Sequence, residues 1–108
     1  MRTTVEYLDA VKAKLGLPSD YAAAKALRIA HSAISRYRNG KGSFDDEVAF
    51  RVAEILDINP LEVIVSARAE RAANEEARSR WESYWDNFSA NFRLPVSPAD
   101  TRQLRLFA

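Results

Sequence analysis

A chain of 108 residues, 47% apolar and 29% charged, has the balance of one soluble globular domain with a single modest core. Three Gly and four Pro are too few for a turn-rich all-β protein, and the Ala- and Arg-rich runs favour helix, so an all-α fold is expected. The absence of cysteine excludes disulfides, thiolate zinc sites and cysteine nucleophiles, and it fits a reducing compartment.

The net charge of +1 conceals an asymmetry. Residues 1–44 hold eight Lys/Arg against Glu6, Asp9 and Asp20, or +5 (8 − 3), whereas residues 45–108 hold eight Arg against twelve acids, or −4 (8 − 12). A basic half beside an acidic half points to one surface that faces a polyanion. Glu6 and Asp9 stand where a signal peptide would carry its apolar core, and no apolar run approaches ~18 residues. A cytoplasmic protein with no membrane partner is expected.

In chain order, TVEYLDAVKAKL (residues 4–15) places Val5, Leu8, Val11 and Leu15 on one face of an amphipathic helix that Gly16 stops. Leu17-Pro18 breaks the chain before Ser19, a good N-cap for a second helix over residues 20–27. A tight connection through Arg28 and Ile29 leads to a third helix, His31 to Arg38, ending at Asn39-Gly40. Ser43-Phe44-Asp45-Asp46 reads as a capping box for a fourth helix that turns Val48, Val52, Ile55 and Leu56 inward. Asn59-Pro60-Leu61-Glu62 is a stronger start, with Asn as cap, Pro at the first helical position and Glu at the third.

The fifth helix opens with core-like Leu61, Ile64 and Val65 and shows no obvious stop until about Asn87–Arg93. Its far end carries Trp81, Tyr84, Trp85, Phe88 and Phe92 on one face. Leu94-Pro95 and Ser97-Pro98 then break it, leaving a short tail that ends RQLRLFA. Residues 1–66 form a five-helix domain on this reading, and residues 67–108 an extended C-terminal helix and tail.

The one-sided stretch is AHSAISRYRNGKG, Ala30 to Gly42, which has several basic side chains and no acid. With Ala24, Leu27, Ile29, Ile34 and Tyr37 inward, the third helix turns His31, Ser32, Ser35, Arg36 and Asn39 outward. Short hydrogen-bonding groups around one long cation suit a helix that lies in a major groove and reads base edges. Arg38 and Lys41 flank it where phosphates would run.

The order of helices, with DYAAAKALRIAHSAISRYRNG followed by a capped helix and VAEILDINPLEVI, resembles the phage-repressor and Cro-like (XRE-type) helix-turn-helix DNA-binding domains over roughly residues 3–66. In that class Ala24 matches the small residue of the first motif helix, Ile29 the turn hydrophobe and Ile34 the recognition-helix hydrophobe. The resemblance implies base contacts from His31, Ser32, Ser35 and Arg36, and backbone contacts from Arg28, Arg38, Asn39 and Lys41. It also suggests a small phage-encoded regulator.

Four positions depart from the class. Arg28 occupies the turn position usually held by Gly; either it is left-handed, at a cost on the order of 1 kcal/mol that a phosphate contact could offset, or the turn has another geometry. Asp57 stands at the equivalent small position before Ile58. Ala30 replaces the usual Ser or Thr cap, so that cap moves to Ser32 or is missing. Asp20 replaces an amide that would face a phosphate; an acid there suits the helix dipole but repels DNA.

His31 is the only histidine, and no second His or Cys exists to complete a metal site. No nucleophile–base order, paired carboxylate site or phosphate-cradling glycine loop stands out. The chain is therefore expected to be non-enzymatic, with no metal, no cofactor and no small-molecule ligand. The partners expected are double-stranded DNA and a second copy of the chain. The aromatic stripe either folds back to enlarge the core or pairs two copies; repressor-class domains bind two half-sites about one helical turn apart, so a dimer through Trp81, Tyr84, Trp85, Phe88 and Phe92 is expected. A transcriptional repressor is the leading reading. A protein-interaction module, or an antitoxin-like protein on the same fold, is the alternative.

Overall fold

A computed structural model of the chain describes residues 1–92, with side chains as far as Ala90. The expected breaks at Leu94-Pro95 and Ser97-Pro98, and the RQLRLFA tail, lie outside the described residues. Six helices and no strand occur among those described: α1 (Thr4–Leu15), α2 (Asp20–Leu27), α3 (His31–Arg38), α4 (Asp46–Leu56), α5 (Pro60–Glu70) and α6 (Glu75–Phe92). The all-α architecture holds.

Thr3 and Glu6 start α1 with a reciprocal capping box: the Thr3 hydroxyl accepts from the Glu6 N–H at 3.2 Å, and the Glu6 carboxylate accepts from the Thr3 N–H at 3.0 Å. The buried stripe is Thr4, Tyr7, Leu8 and Val11, whereas Val5 is half-buried and Leu15 exposed. The helix is thus rotated from the expected face so that the Tyr7 ring enters the core. There its hydroxyl donates to Ser66 Oγ at 3.2 Å, since Ser66 itself donates to the Glu62 carbonyl at 2.8 Å. A buried phenol needs such a partner, and α5 supplies it.

The first four helices stop in one way. A residue in the left-handed region (Gly16, Arg28, Gly40, Asp57) turns the chain. The next N–H then reaches back five residues: Leu17 to Lys12, Ile29 to Ala24, Lys41 to Arg36, and Ile58 to Ala53, at 2.8–3.0 Å. Leu17, Ile29 and Ile58 pack against the core just beyond the stop, closing three of the four turns with a hydrophobic contact. Arg28 therefore does carry the left-handed strain, at φ 58°. Substituting Arg28→Gly is expected to raise stability by about 1 kcal/mol, read as a shift of the denaturant midpoint; no gain would mean that the arginine side chain offsets its own backbone cost.

The fourth helix starts two residues later than the Ser43 box implied. Asp45 is its cap, accepting from the Val48 N–H at 2.9 Å. Ser43 instead takes a bond from Arg71 at 3.2 Å, and Phe44 drops into the core. In α5 the inward residues are Val63, Val65, Ala67 and Ala69, while Leu61 is 37% exposed.

The long fifth helix of the sequence reading is two helices. Nothing in residues 71–74 forbids helix; there is no Gly or Pro. Yet the chain turns there, and Asn74 recaps it by accepting from the Ala77 N–H at 2.8 Å, with Glu75 and Glu76 in the favoured first turn. The gain is tertiary. The turn lays α6 back along α5, its sole helical neighbour among the described residues, so that Trp85 and Phe88 become half-buried instead of projecting into water. Their rings stack at 5.7 Å.

Candidate nucleic-acid interface

The face built by α3 begins with what lies beneath it. Ile34 is fully buried and Tyr37 is 9% exposed; Ala23, Ala24 and Leu27 of α2 are buried in the same core. The Tyr37 ring meets Phe44 edge-on, with centroids 5.2 Å apart and planes at 84°, a geometry worth about 0.5–1.5 kcal/mol beyond burial. Ala30 gives α3 no side-chain cap; its carbonyl alone takes the Ala33 N–H at 3.0 Å. With one side committed to the core, helical periodicity leaves the other to solvent.

That other side holds His31, Ser32, Ser35, Arg36 and Asn39, all exposed. Arg28 and Lys41 are exposed at its two ends. The Asn39 amide donates to the Ser35 carbonyl at 2.8 Å, closing its own helix, and Arg36 touches the Lys41 carbonyl at 3.3 Å. Arg28, Arg36 and Lys41 have no carboxylate within salt-bridge distance among the described residues.

Arg38 is placed differently. Its guanidinium turns away from this face to Asp20 on α2, at 2.9 and 3.1 Å, and to Asp9 on α1, at 2.8 Å. Lys12 of α1 completes the cluster with a 3.0 Å pair to Asp20. Two acids and two bases thus sum to zero where α1, α2 and α3 meet. The charge of Asp20 is balanced within this cluster, and Arg38 ties α3 to α1 and α2.

The Arg38 and Lys12 hydrogen bonds lower the Asp20 pKa from 3.8 to about 2. A depressed carboxylate contributes stability that is complete above its unfolded value and disappears as pH falls through the folded one. Stability is therefore expected to decline between pH ~4 and ~2 by about 1–2 kcal/mol from this group, with allowance for solvent screening of a partly exposed cluster. Asp20→Asn should flatten that limb in acid denaturation; an unchanged slope would show the cluster to be energetically idle.

Sequence reasoning missed Tyr21. This exposed α2 residue sits with its ring 6.1 Å from the His31 ring and 5.0 Å from the Lys25 ammonium, so the outward surface continues across α2. The available signal was an aromatic in the first turn of an Ala-rich helix with Lys four residues on. Among the described residues no group of His, Asp or Glu could hold a metal ion, and no helix is long and apolar enough to cross a membrane.

Two helices joined by a left-handed turn, the second anchored on one side and bare on the other, define a helix-turn-helix protein. The helix-turn-helix family profile matches residues 9–63, half of the chain, and the chain belongs to that family in its phage-repressor and Cro-like form: it is a DNA-binding regulator. It is 28% identical over 83 residues to the uncharacterized protein Gp-c of Pseudoalteromonas phage PM2; the match spans 73% of this chain and 90% of that one. No solved structure matches the chain significantly.

Proposed function

We propose that the protein is a cytoplasmic transcriptional repressor, phage-encoded, that binds a pseudo-palindromic operator as a dimer and blocks polymerase sterically. The observation that carries this reading is the bare outer face of α3, free of acids and of covering chain among the described residues. In the proposed complex α3 lies in the major groove with His31, Ser32, Ser35 and Arg36 toward base edges. Arg28, Asn39 and Lys41 meet the backbone, and Arg38 positions the helix from behind.

Residues 1–66 form the DNA-binding unit and residues 67–108 the pairing region, through Trp81, Tyr84, Trp85 and Phe88, with Phe92 beyond the described side chains. Support comes from an apolar groove of about 330 Å³ lined by Leu61, Val65, Trp81, Trp85 and Phe88, with Tyr84 at its edge and 68% exposed. A second copy that pairs along this groove would join two α3 helices in one particle. The same groove favours the second reading, an interaction module or antitoxin-like protein that binds a different chain there.

Selection of bound duplexes from a random pool, with sedimentation of the free protein, tests both. A recovered inverted repeat and a two-chain mass are expected. No retained duplex even at low salt would sink the repressor and leave the interaction module.

A further inference from the structure

A concavity of about 560 Å³ opens beside the end of α3, lined by Arg36, Gly40, Lys41, Gly42, Ser43, Glu70 and Arg71. Arg71 belongs by sequence to the acidic half of the chain, yet the fold carries it to the basic stretch. One of its terminal nitrogens, Nη1, donates to the Phe44 carbonyl at 2.9 Å and to Ser43 Oγ at 3.2 Å. Its Nε and Nη2 have no protein acceptor among the described residues. Lys41 and Arg36 belong to the same lining, and neither has a carboxylate within salt-bridge distance among the described residues. The one carboxylate in the lining, Glu70, is occupied elsewhere: it accepts from the Thr4 N–H at 3.1 Å and from the Thr4 hydroxyl at 2.6 Å.

Three cations therefore line a hollow whose one acid is engaged by Thr4, and the small residues Gly40, Gly42 and Ser43 form part of the same lining. We propose that Arg71 and Lys41, with the Gly40–Ser43 loop between them, hold a phosphate group. A guanidinium already pinned through one nitrogen presents its remaining donors without loss of side-chain freedom, and its planar fork matches phosphate oxygens. The hollow adjoins the exposed face of α3, so the source of the phosphate is the backbone of the same duplex; this step rests on the DNA-binding reading above. A free phosphate is the other source of the same chemistry.

The test follows the full chain on random-sequence duplex across a KCl series. Arg71→Gln is expected to weaken all duplexes alike and to reduce the log-affinity against log-salt slope by about one, whereas Arg71→Lys keeps the slope. An unchanged slope in Arg71→Gln, or an equal loss in Arg71→Lys, overturns the proposal and makes Arg71 a loop tie only. Lys41→Gln leaves that tie intact and is expected to reduce the slope by the same amount if Arg71→Gln fails to fold; no reduction would again overturn the site.

Calorimetric titration of pyrophosphate without DNA separates the sources. Heat that Arg71→Gln abolishes assigns the site to free phosphate as well, and no heat beside an Arg71-dependent slope assigns it to the nucleic-acid backbone. Pyrophosphate binding lost in Arg71→Gln, in a protein that retains no duplex, would keep the site and discard the DNA reading.

Discussion

Ile34→Ala is expected to destabilise the fold by about 2–5 kcal/mol, the range for a fully buried aliphatic side chain cut back to Cβ. Ile34 sits in the core with Leu27 of α2 and Val48 and Val52 of α4, so the cavity would open beneath the exposed helix. A domain of this size has roughly 5–15 kcal/mol in total, and such a loss is a large share of it. The equilibrium denaturation midpoint reads the effect directly. A cost below about 1 kcal/mol would mean that α3 is seated by something other than Ile34, and the account of how its outer face is presented would need rebuilding.

Arg36→Ala carries the second large effect, and it concerns recognition instead of folding. Arg36 is exposed, unpaired with any acid among the described residues, and held only by one 3.3 Å contact to the Lys41 carbonyl, so little opposes its swing toward a guanine edge. Its loss is expected to lower affinity for the selected operator by ~1–3 kcal/mol and to relax preference at a single base pair. Lys41→Ala is the contrast, a uniform loss on every duplex. Should Arg36→Ala weaken all sequences equally, the arginine touches phosphate and base reading passes to His31, Ser32 and Ser35.

Much of the fold was legible because its signals are local. The limits of α1, α2 and α3 agree with the sequence reading, since caps and left-handed stops are written within five residues of where they act. The α4 start was displaced because two acceptors, Ser43 and Asp45, compete for one role, and Arg71 from far along the chain decides between them. The turn at residues 71–74 could have been read from Asn74-Glu75-Glu76, the same kind of start as Asn59-Pro60-Leu61-Glu62. It was overridden by the unbroken helix propensity on both sides.

The outer face of α3 was also legible, as periodicity alone separates Ile34 and Tyr37 from His31, Ser32, Ser35, Arg36 and Asn39. The fate of Arg38 was not. Its partners lie 18 and 29 residues earlier in the chain (38 − 20 and 38 − 9), on two other helices, and only the packed arrangement brings them within 3 Å. The same holds for Arg71, which reaches Ser43 and Phe44 across 28 and 27 residues.

The closed cluster of Asp9, Lys12, Asp20 and Arg38 has a kinetic corollary. Cations neutralised inside the molecule displace no ions from a duplex, so although the cluster sums to zero and leaves the +5 of residues 1–44 unchanged, fewer of their eight Lys/Arg contribute to counterion release on arbitrary DNA. Such a molecule lingers less on irrelevant sequence, and its search for a target leans on hopping through solution and on the fit of its short polar side chains at the right address.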